Sequence, residues 1–316
     1  MTQDAFHIGN LTVPALALGT MHFGTHVPTD RSIACLDKAF EVGARFWDTA
    51  NNHAFWAGGV GDESETVIGN WLHAHGAASR DQVTLATKVG ARPRVPGSDL
   101  DDTLGLSPAA VRGQVEDCLR RLRTDRIDVL YAHIDDPTIP FEETLGAFTD
   151  LVEQGLVREV AASNLTIRRL AEAMAVTTAA HYRALQQRFT WLTPQPGADL
   201  SPHLLLDDEI IDLCDLHGLT RLGYSPLLSG AYTRTDRPLP AGYQAHAEAL
   251  AALHDVADRH GLDAGQAVLT WMVSRSQPVI PVVGVSSPDQ VRSAWQAVTT
   301  PLPAQDVAVL EDARRA

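Results

Sequence analysis

Four short apolar runs in this chain each end on a residue that can move a proton or hold one in a hydrogen bond. Arg45-Phe46-Trp47-Asp48 closes on a carboxylate and is followed by the polar stretch Thr49-Ala50-Asn51-Asn52-His53. Leu85-Ala86-Thr87-Lys88 closes on an ammonium, Leu130-Tyr131-Ala132-His133 on an imidazole, and Ala162-Ser163-Asn164 on a hydroxyl and an amide. An apolar run that stops at a polar group is how a buried strand delivers a side chain to the rim of a sheet or barrel. Any one of these residues alone reads more simply as an Asx turn or a histidine satisfied by backbone groups. The repeated pattern points to an acid–base site. Lys88 carries extra weight, because Lys38 and Lys88 are the only lysines among 25 basic residues. A chain that otherwise uses arginine keeps, at this strand end, the cation whose pKa shifts readily. Asp48, His53 and His133 also make a two-histidine, one-carboxylate set, but Lys88 would repel a divalent cation there, so no metal is expected.

Positioning these groups takes a scaffold that brings distant strand ends together. Phe6 to Val13, with Gly9-Asn10 between its halves, reads as a hairpin. Thereafter strands and helices alternate. Strands are predicted at 15–20, 45–48, 83–87, 127–133, 157–162, 184–187, 220–224 and 279–282. Helices are predicted from the Thr29-Asp30 cap to a stop at Gly43, over 64–75, 108–123, 141–154, from Thr166, over 207–217, 244–260, 263–275, 287–298 and 306–315, several opened by Ser/Thr/Asp caps or Ser-Pro. Eight such repeats without a composition break predict one (β/α)8 barrel of the TIM type spanning residues 1–316, with an N-terminal hairpin and long loops at the strands' C-terminal ends. A doubly wound sheet would want a G-x-G-x-x-G turn after its first strand, and Gly19-Thr20-Met21-His22-Phe23-Gly24 does not match it.

The 316 residues are 45% hydrophobic and 20% charged, an ordinary globular balance. The net charge of −14 argues against a nucleic-acid partner. The basic run Arg120-Arg121-Leu122-Arg123 falls at a helix end, where cations offset the dipole. No apolar run approaches a membrane span. The first residues lack a leader's basic and apolar regions, and Cys35, Cys118 and Cys214 are widely spaced. The expectation is a cytoplasmic protein with reduced thiols. Oligomeric state is not legible.

The sequence resembles the aldo-keto reductases along nearly its whole length. The resemblance is carried by Leu18-Gly19-Thr20-Met21, Trp47-Asp48-Thr49-Ala50, Thr87-Lys88, Leu130-Tyr131-Ala132-His133, Ser163-Asn164, Gln186 and Tyr224-Ser225-Pro226-Leu227. It implies a barrel plugged by its hairpin, NADPH lying across the top, and a small carbonyl substrate. It also implies a catalytic tetrad in which Asp48, Lys88 and His133 fill three places. Ser163, Asn164 and Gln186 would hold the carboxamide, Tyr224 would stack on the nicotinamide, and Gly19, Thr20 and Met21 would line the cleft. Ser225 and Leu227 would meet the pyrophosphate. Gly284, Ser286, Gln290 and Arg292 would take the adenosine end, at a helix N-terminus suited to anions. Ala294 stands where an adenine-binding asparagine is usual, and Arg292 is the nearest cation for a 2′-phosphate, so NADH is not excluded. Phe55, Trp56 and Trp191 would wall an apolar, ring-receiving pocket. Asp135 and Asp136 fall in a rim loop, to read hydroxyls or to meet solvent.

The fourth tetrad position departs from the family. Its tyrosine is replaced by His53, and the five tyrosines of the chain lie elsewhere. A phenol, with pKa near about 10, is a neutral acid whose anion a neighbouring lysine stabilises. Imidazole reverses the sign, because its strong acid form is the cation that Lys88 opposes. Three readings stay open. His53 is a weakened acid favoured at low pH, or another group such as His133, Tyr232 or Tyr243 supplies the proton. In the third, the barrel has left carbonyl reduction for non-redox chemistry or for service as a cofactor-binding sensor.

Overall fold

The computed structural model describes residues 6–95, 98–234, 236–244 and 247–315. Two short antiparallel strands, β1 (Phe6–Ile8) and β2 (Leu11–Val13), form the predicted hairpin. Eight parallel strands then close a barrel: β3 (Ala17–Gly19), β4 (Phe46–Asp48), β5 (Thr84–Val89), β6 (Ile127–Ala132), β7 (Val157–Ser163), β8 (Ala184–Arg188), β9 (Thr220–Tyr224) and β10 (Ile280–Gly284). Each strand pairs with its successor, and β10 returns to β3. The longer helices between them are α1 (Thr29–Val42), α2 (Glu63–His75), α4 (Pro108–Leu122), α5 (Phe141–Glu153), α6 (Ile167–Ala175), α7 (Asp208–His217), α8 (Ala247–Arg259), α9 (Ala264–Ser274), α10 (Pro288–Val298) and α11 (Ala304–Arg315). A single turn, α3 (Ala77–Arg80), follows α2 and went unpredicted. The helix expected from Gln244 is described from Ala247, since residues 245–246 lie outside the described set.

Local chemistry sets the helix starts. Ser107, Thr166, Asp207, Asp263 and Ser287 each accept a backbone N–H of the first turn, and Asp263 with Gln266 forms a full capping box. The basic run at the end of α4 does more than offset a dipole. Arg121 turns inward to the fully buried carboxylate of Glu65 on α2, with Nε 2.6 Å from Oε2. Left unpaired, a buried carboxylate would be strongly destabilising.

The side-chain period of two along a strand explains how the site assembles. Phe46, Ala86, Val129, Ala161, Ala184 and Leu222 point into the barrel, where they pack with Ile8, Leu11 and Val13 of the hairpin. Two residues further along the same strands are Asp48, Lys88, Tyr131, Ser163, Gln186 and Tyr224. They therefore share the inward face, one layer nearer the mouth. The hairpin closes the opposite end. Glu159 of β7 accepts the Asn10 N–H at 2.8 Å, and Gly9 stands at φ 55° where a Cβ would fall 2.3 Å from that carboxylate. Only glycine satisfies both the turn and the contact.

Candidate active site

Asp48 and Lys88 form an ion pair at the centre of the inner layer, with Nζ 2.5 Å from Oδ2 and side chains only 2–3% exposed. The ammonium also donates to the Thr49 carbonyl at 2.9 Å. The second carboxylate oxygen accepts from the Gln186 amide at 2.9 Å. Charges this deep persist only when paired and hydrogen-bonded, and these are. Burial pulls Lys88 below the ordinary lysine value, and Asp48 offsets part of that fall.

Two imidazoles stand beside the pair. His53, in the loop after β4, and His133, just past β6, meet edge to face with ring centroids 6.2 Å apart. Burial first, then the Lys88 charge, hold both well below the usual histidine value; His133 and His22 add to the effect on His53, and His203 to that on His133. Both rings are therefore neutral near pH 7. Neither Nδ1 has a hydrogen-bond partner among the described residues, although both atoms are buried. An unpaired buried polar atom carries a desolvation penalty unless something meets it, so these nitrogens favour a hydrogen-bonding ligand.

The sequence missed Tyr131, which lies inside the barrel with Lys88 Nζ 5.4 Å from its ring centroid and its hydroxyl unpartnered among the described residues. Burial, and then Asp48, push its phenol well above the ordinary tyrosine value, which makes it a poor acid. The register that pairs Lys88 with Tyr131 was the missing signal. Tyr232 and Tyr243 are engaged elsewhere. The Tyr232 oxygen accepts from Leu192 N at 3.1 Å and the Tyr243 oxygen from Arg188 Nε at 3.0 Å, so neither is swung toward Asp48.

Beyond the tetrad positions, Ser163, Asn164 and Tyr224 gather at one side of the mouth. Tyr224 OH donates to Asn164 Oδ1 at 2.7 Å, and Asn164 Nδ2 donates to Ser163 Oγ at 3.0 Å and to the His133 carbonyl at 3.2 Å. Ser163 Oγ in turn donates to the Gln186 carbonyl at 2.6 Å. Gln186 gives one amide N–H to Asp48 and keeps its second N–H and its side-chain carbonyl oxygen for other partners. Thr20 is fully buried, and its hydroxyl bonds the Asp48 carbonyl and Ser64 rather than facing a cleft. Gly19 is buried beside Gly284 of β10, whereas Met21 is exposed on the rim. After β9 the backbone takes left-handed values at non-glycine residues, Ser225 (φ 57°), Leu228 (φ 45°) and Ser229 (φ 57°), next to Leu227. Strain of about 1–3 kcal/mol per residue of this kind gathers at ligand clamps. At the start of α10, Gln290 Oε1 accepts from Ser286 N at 2.7 Å. Arg292 is paired with Asp289 at 2.9 Å.

Phe55 and Trp56 sit on the rim as a T-shaped pair 5.0 Å apart, with Trp56 55% exposed. Trp191 does not line a pocket. Its indole is fully buried under α11 and donates to the Leu310 carbonyl at 3.1 Å, because a buried Trp N–H needs an acceptor. Asp135 and Asp136 are not solvating groups either. Asp135 takes a two-pronged ion pair from Arg169, and Asp136 caps the Leu106 and Thr138 backbone N–H groups. Among the described residues no helix is long and apolar enough to cross a membrane, and no cluster of three or more His, Cys, Asp or Glu is placed to hold a metal ion.

Comparison with known proteins agrees with this geometry. A profile described as the aldo/keto reductase family matches residues 15–315. The uncharacterized oxidoreductase YrpG of Bacillus subtilis (strain 168) is 30% identical over 312 residues, covering 96% of this chain and 92% of that protein. Aldo-keto reductase AFTS1 of Alternaria alternata is also 30% identical, covering 98% and 91%. Among solved structures, the holo form of aldo-keto reductase AKR11C1 from Bacillus halodurans superposes with a TM-score of 0.77 at 25% identity, covering 98% and 96%. An aldo/keto reductase from Klebsiella pneumoniae in complex with NADP and acetate shares the fold, with a TM-score of 0.76 at 23% identity covering 99% and 95%. With its closed barrel, its Asp48–Lys88 pair and a match running from residue 15 to residue 315, the chain belongs to the aldo/keto reductase family.

Proposed function

We propose that this protein reduces an aldehyde or ketone at the expense of NADPH, with His53 standing where the family places its tyrosine acid. The observation that carries the reading is the buried Asp48–Lys88 pair beside two neutral imidazoles whose Nδ1 atoms lack partners among the described residues. A dinucleotide suits the residues present. The strained 225–229 backbone suits a pyrophosphate, Tyr224 offers a half-buried ring at the mouth, and α10 presents a capped N-terminus to an anionic adenosine end. When bound, the reduced nicotinamide supplies the hydride.

The chain's own residues then handle the oxygen. A neutral imidazole of His53 or His133 polarises the carbonyl by donating its N–H, as neutral histidines do in other barrels. The Lys88 ammonium stabilises negative charge developing on the oxygen in a site where water screens little. Asp48, fixed by Gln186, holds the ammonium in place. Completing the reaction requires a proton on oxygen, and imidazolium, the competent donor, is scarce at neutral pH. Turnover should therefore rise toward acid. The rim beside His53 carries Trp56, Val60 and Met21 at 55%, 60% and 37% exposure, which favours an uncharged substrate with a ring.

A titration with NADPH and with NADH, followed by aromatic and aliphatic carbonyls from pH 5 to 8, tests the reading. We expect tighter binding of NADPH and NADPH oxidation that quickens as pH falls. Binding without oxidation across the panel would point to a sensor, and absence of binding to non-redox chemistry.

A further inference from the structure

At its neck the loop carrying His53 is held by the Glu63 carboxylate, which accepts the Val60 and Gly61 N–H groups at 2.7 and 3.0 Å, and is bridged by a side chain from the next strand's loop. Arg92 Nη1 donates to the Asn51 carbonyl at 2.6 Å and to Asp62 Oδ1 at 2.5 Å, while Nη2 donates to the Val60 carbonyl at 3.2 Å. One guanidinium thus spans both ends of the 51–60 loop, using the fixed fork geometry that lysine lacks. Gly61 confirms how tightly the neck is drawn, since a Cβ there would lie 3.0 Å from the Asn52 Cα. The clamp is itself braced. Asp62 lies 3.4 Å from Arg121, which is held by buried Glu65, and Glu65 also accepts the hydroxyl of Thr87, next to Lys88, at 2.6 Å.

Inside the neck the loop stores strain. Ala54, directly after His53, stands at φ 62°, a value that costs a non-glycine residue roughly 1–3 kcal/mol and survives only where the surroundings enforce it. The Asn52 amide donates to the Ala91 carbonyl at 2.7 Å and the Asn51 N–H to the Lys88 carbonyl at 3.1 Å, so the first half of the loop is sewn to the end of β5. For the second half, the bond from Arg92 to Val60 is what ties it to the same neighbour.

We propose that Arg92 is a positioning residue for His53: by bridging the Asn51 and Val60 carbonyls it keeps the loop shut and the imidazole seated against Lys88 and His133. Only the kinetic arm of the test rests on the function proposed above. Arg92→Gln removes the charge and the fork, Arg92→Lys keeps the charge alone, and Arg94→Gln is the control, because Arg94 pairs with Asp102 on the same loop away from the neck. The His53 imidazole is followed by NMR titration in the full chain, its resonance assigned by its absence in His53→Tyr. Loosening the neck hydrates the ring and moves it away from Lys88, His133 and His22, the groups that hold its protonation down. His53 should then titrate nearer the ordinary histidine value in Arg92→Gln, by less in Arg92→Lys, and as in wild type in Arg94→Gln.

Near pH 5, where the cationic fractions of His53 differ least between the two proteins, kcat with a reducible carbonyl should fall about 10²-fold in Arg92→Gln, the scale of a displacement of about 1 Å, and added guanidinium ion should restore part of it. Should Arg92→Gln fail to fold, Arg92→Lys decides alone. A folded Arg92 variant whose His53 titrates as in wild type overturns the proposal, whatever its rate. If the wild type reduces no carbonyl, the proposed function fails while the titration still decides the clamp.

Discussion

Replacing His53 by tyrosine is the most informative single change. Even at its ordinary pKa of about 6.5, an imidazole is only about a quarter cationic at pH 7. Burial, Lys88 and His133 all push His53 lower, and each further unit removes another factor of ten from the acid-competent fraction. A phenol in the same place is neutral throughout the range, and its anion is stabilised by the ammonium that opposes imidazolium. General acid catalysis contributes about 10²–10⁴-fold. Recovering even part of that should raise kcat at pH 7 by about tenfold or more in His53→Tyr. The assay is NADPH oxidation against one aromatic aldehyde from pH 5 to 8, with cofactor affinity measured separately by fluorescence. Wild type should slow with rising pH, approaching tenfold per unit, while the variant stays nearly flat. A variant that folds, binds NADPH and is no faster at pH 7 would refute the argument from Lys88, as would a flat wild-type profile that depends wholly on His53.

Three further outcomes follow from the packing. Lys88→Met strands the Asp48 carboxylate and should cost about 3–5 kcal/mol in denaturant unfolding, whereas combining it with Asp48→Asn should recover much of that loss. The protein should also lose stability in acid. Because His53 and His133 have folded pKa values below the unfolded value, the unfolded chain takes up protons the folded one refuses as pH falls below about 6.5. Each histidine then removes up to about 1.4 kcal/mol per pH unit until its folded pKa is reached. Unfolding midpoints at pH 7 and pH 5 should differ, and the gap should narrow in His53→Tyr. At the far end of the barrel, Gly9→Ala forces a Cβ against Glu159 in a left-handed turn and should cost roughly 1–3 kcal/mol without altering catalysis, which a thermal melt beside a rate measurement would check.

Much of this arrangement was readable because barrels repeat. Apolar runs ending in Asp48, Lys88, His133 and Asn164 placed those residues at strand ends, and the alternation of strands with capped helices gave the order in which the barrel closes. What escaped was set by contacts remote in sequence. Trp191 looks like a rim aromatic until Leu310, 119 residues away, takes its N–H. Gln186 gives no sign in sequence that one of its N–H groups serves Asp48, 138 residues away. Tyr131 reads as one more apolar strand residue, and only the register with β5 lays it against Lys88. Asp135 and Asp136 sit in a polar loop whose sequence leaves hydroxyl reading and solvent both open, and Arg169 and two backbone N–H groups claim them.

Tyr224, Asn164 and Ser163 are joined in one line of side-chain hydrogen bonds that ends on the Gln186 backbone carbonyl. Groups that share a single geometry fail together, so the first deletion along this line should do most of the damage and later ones should add little. Single-site losses measured here will exceed any fair share when summed. A graft of this pocket onto another barrel should therefore carry all three side chains or expect almost nothing from one or two.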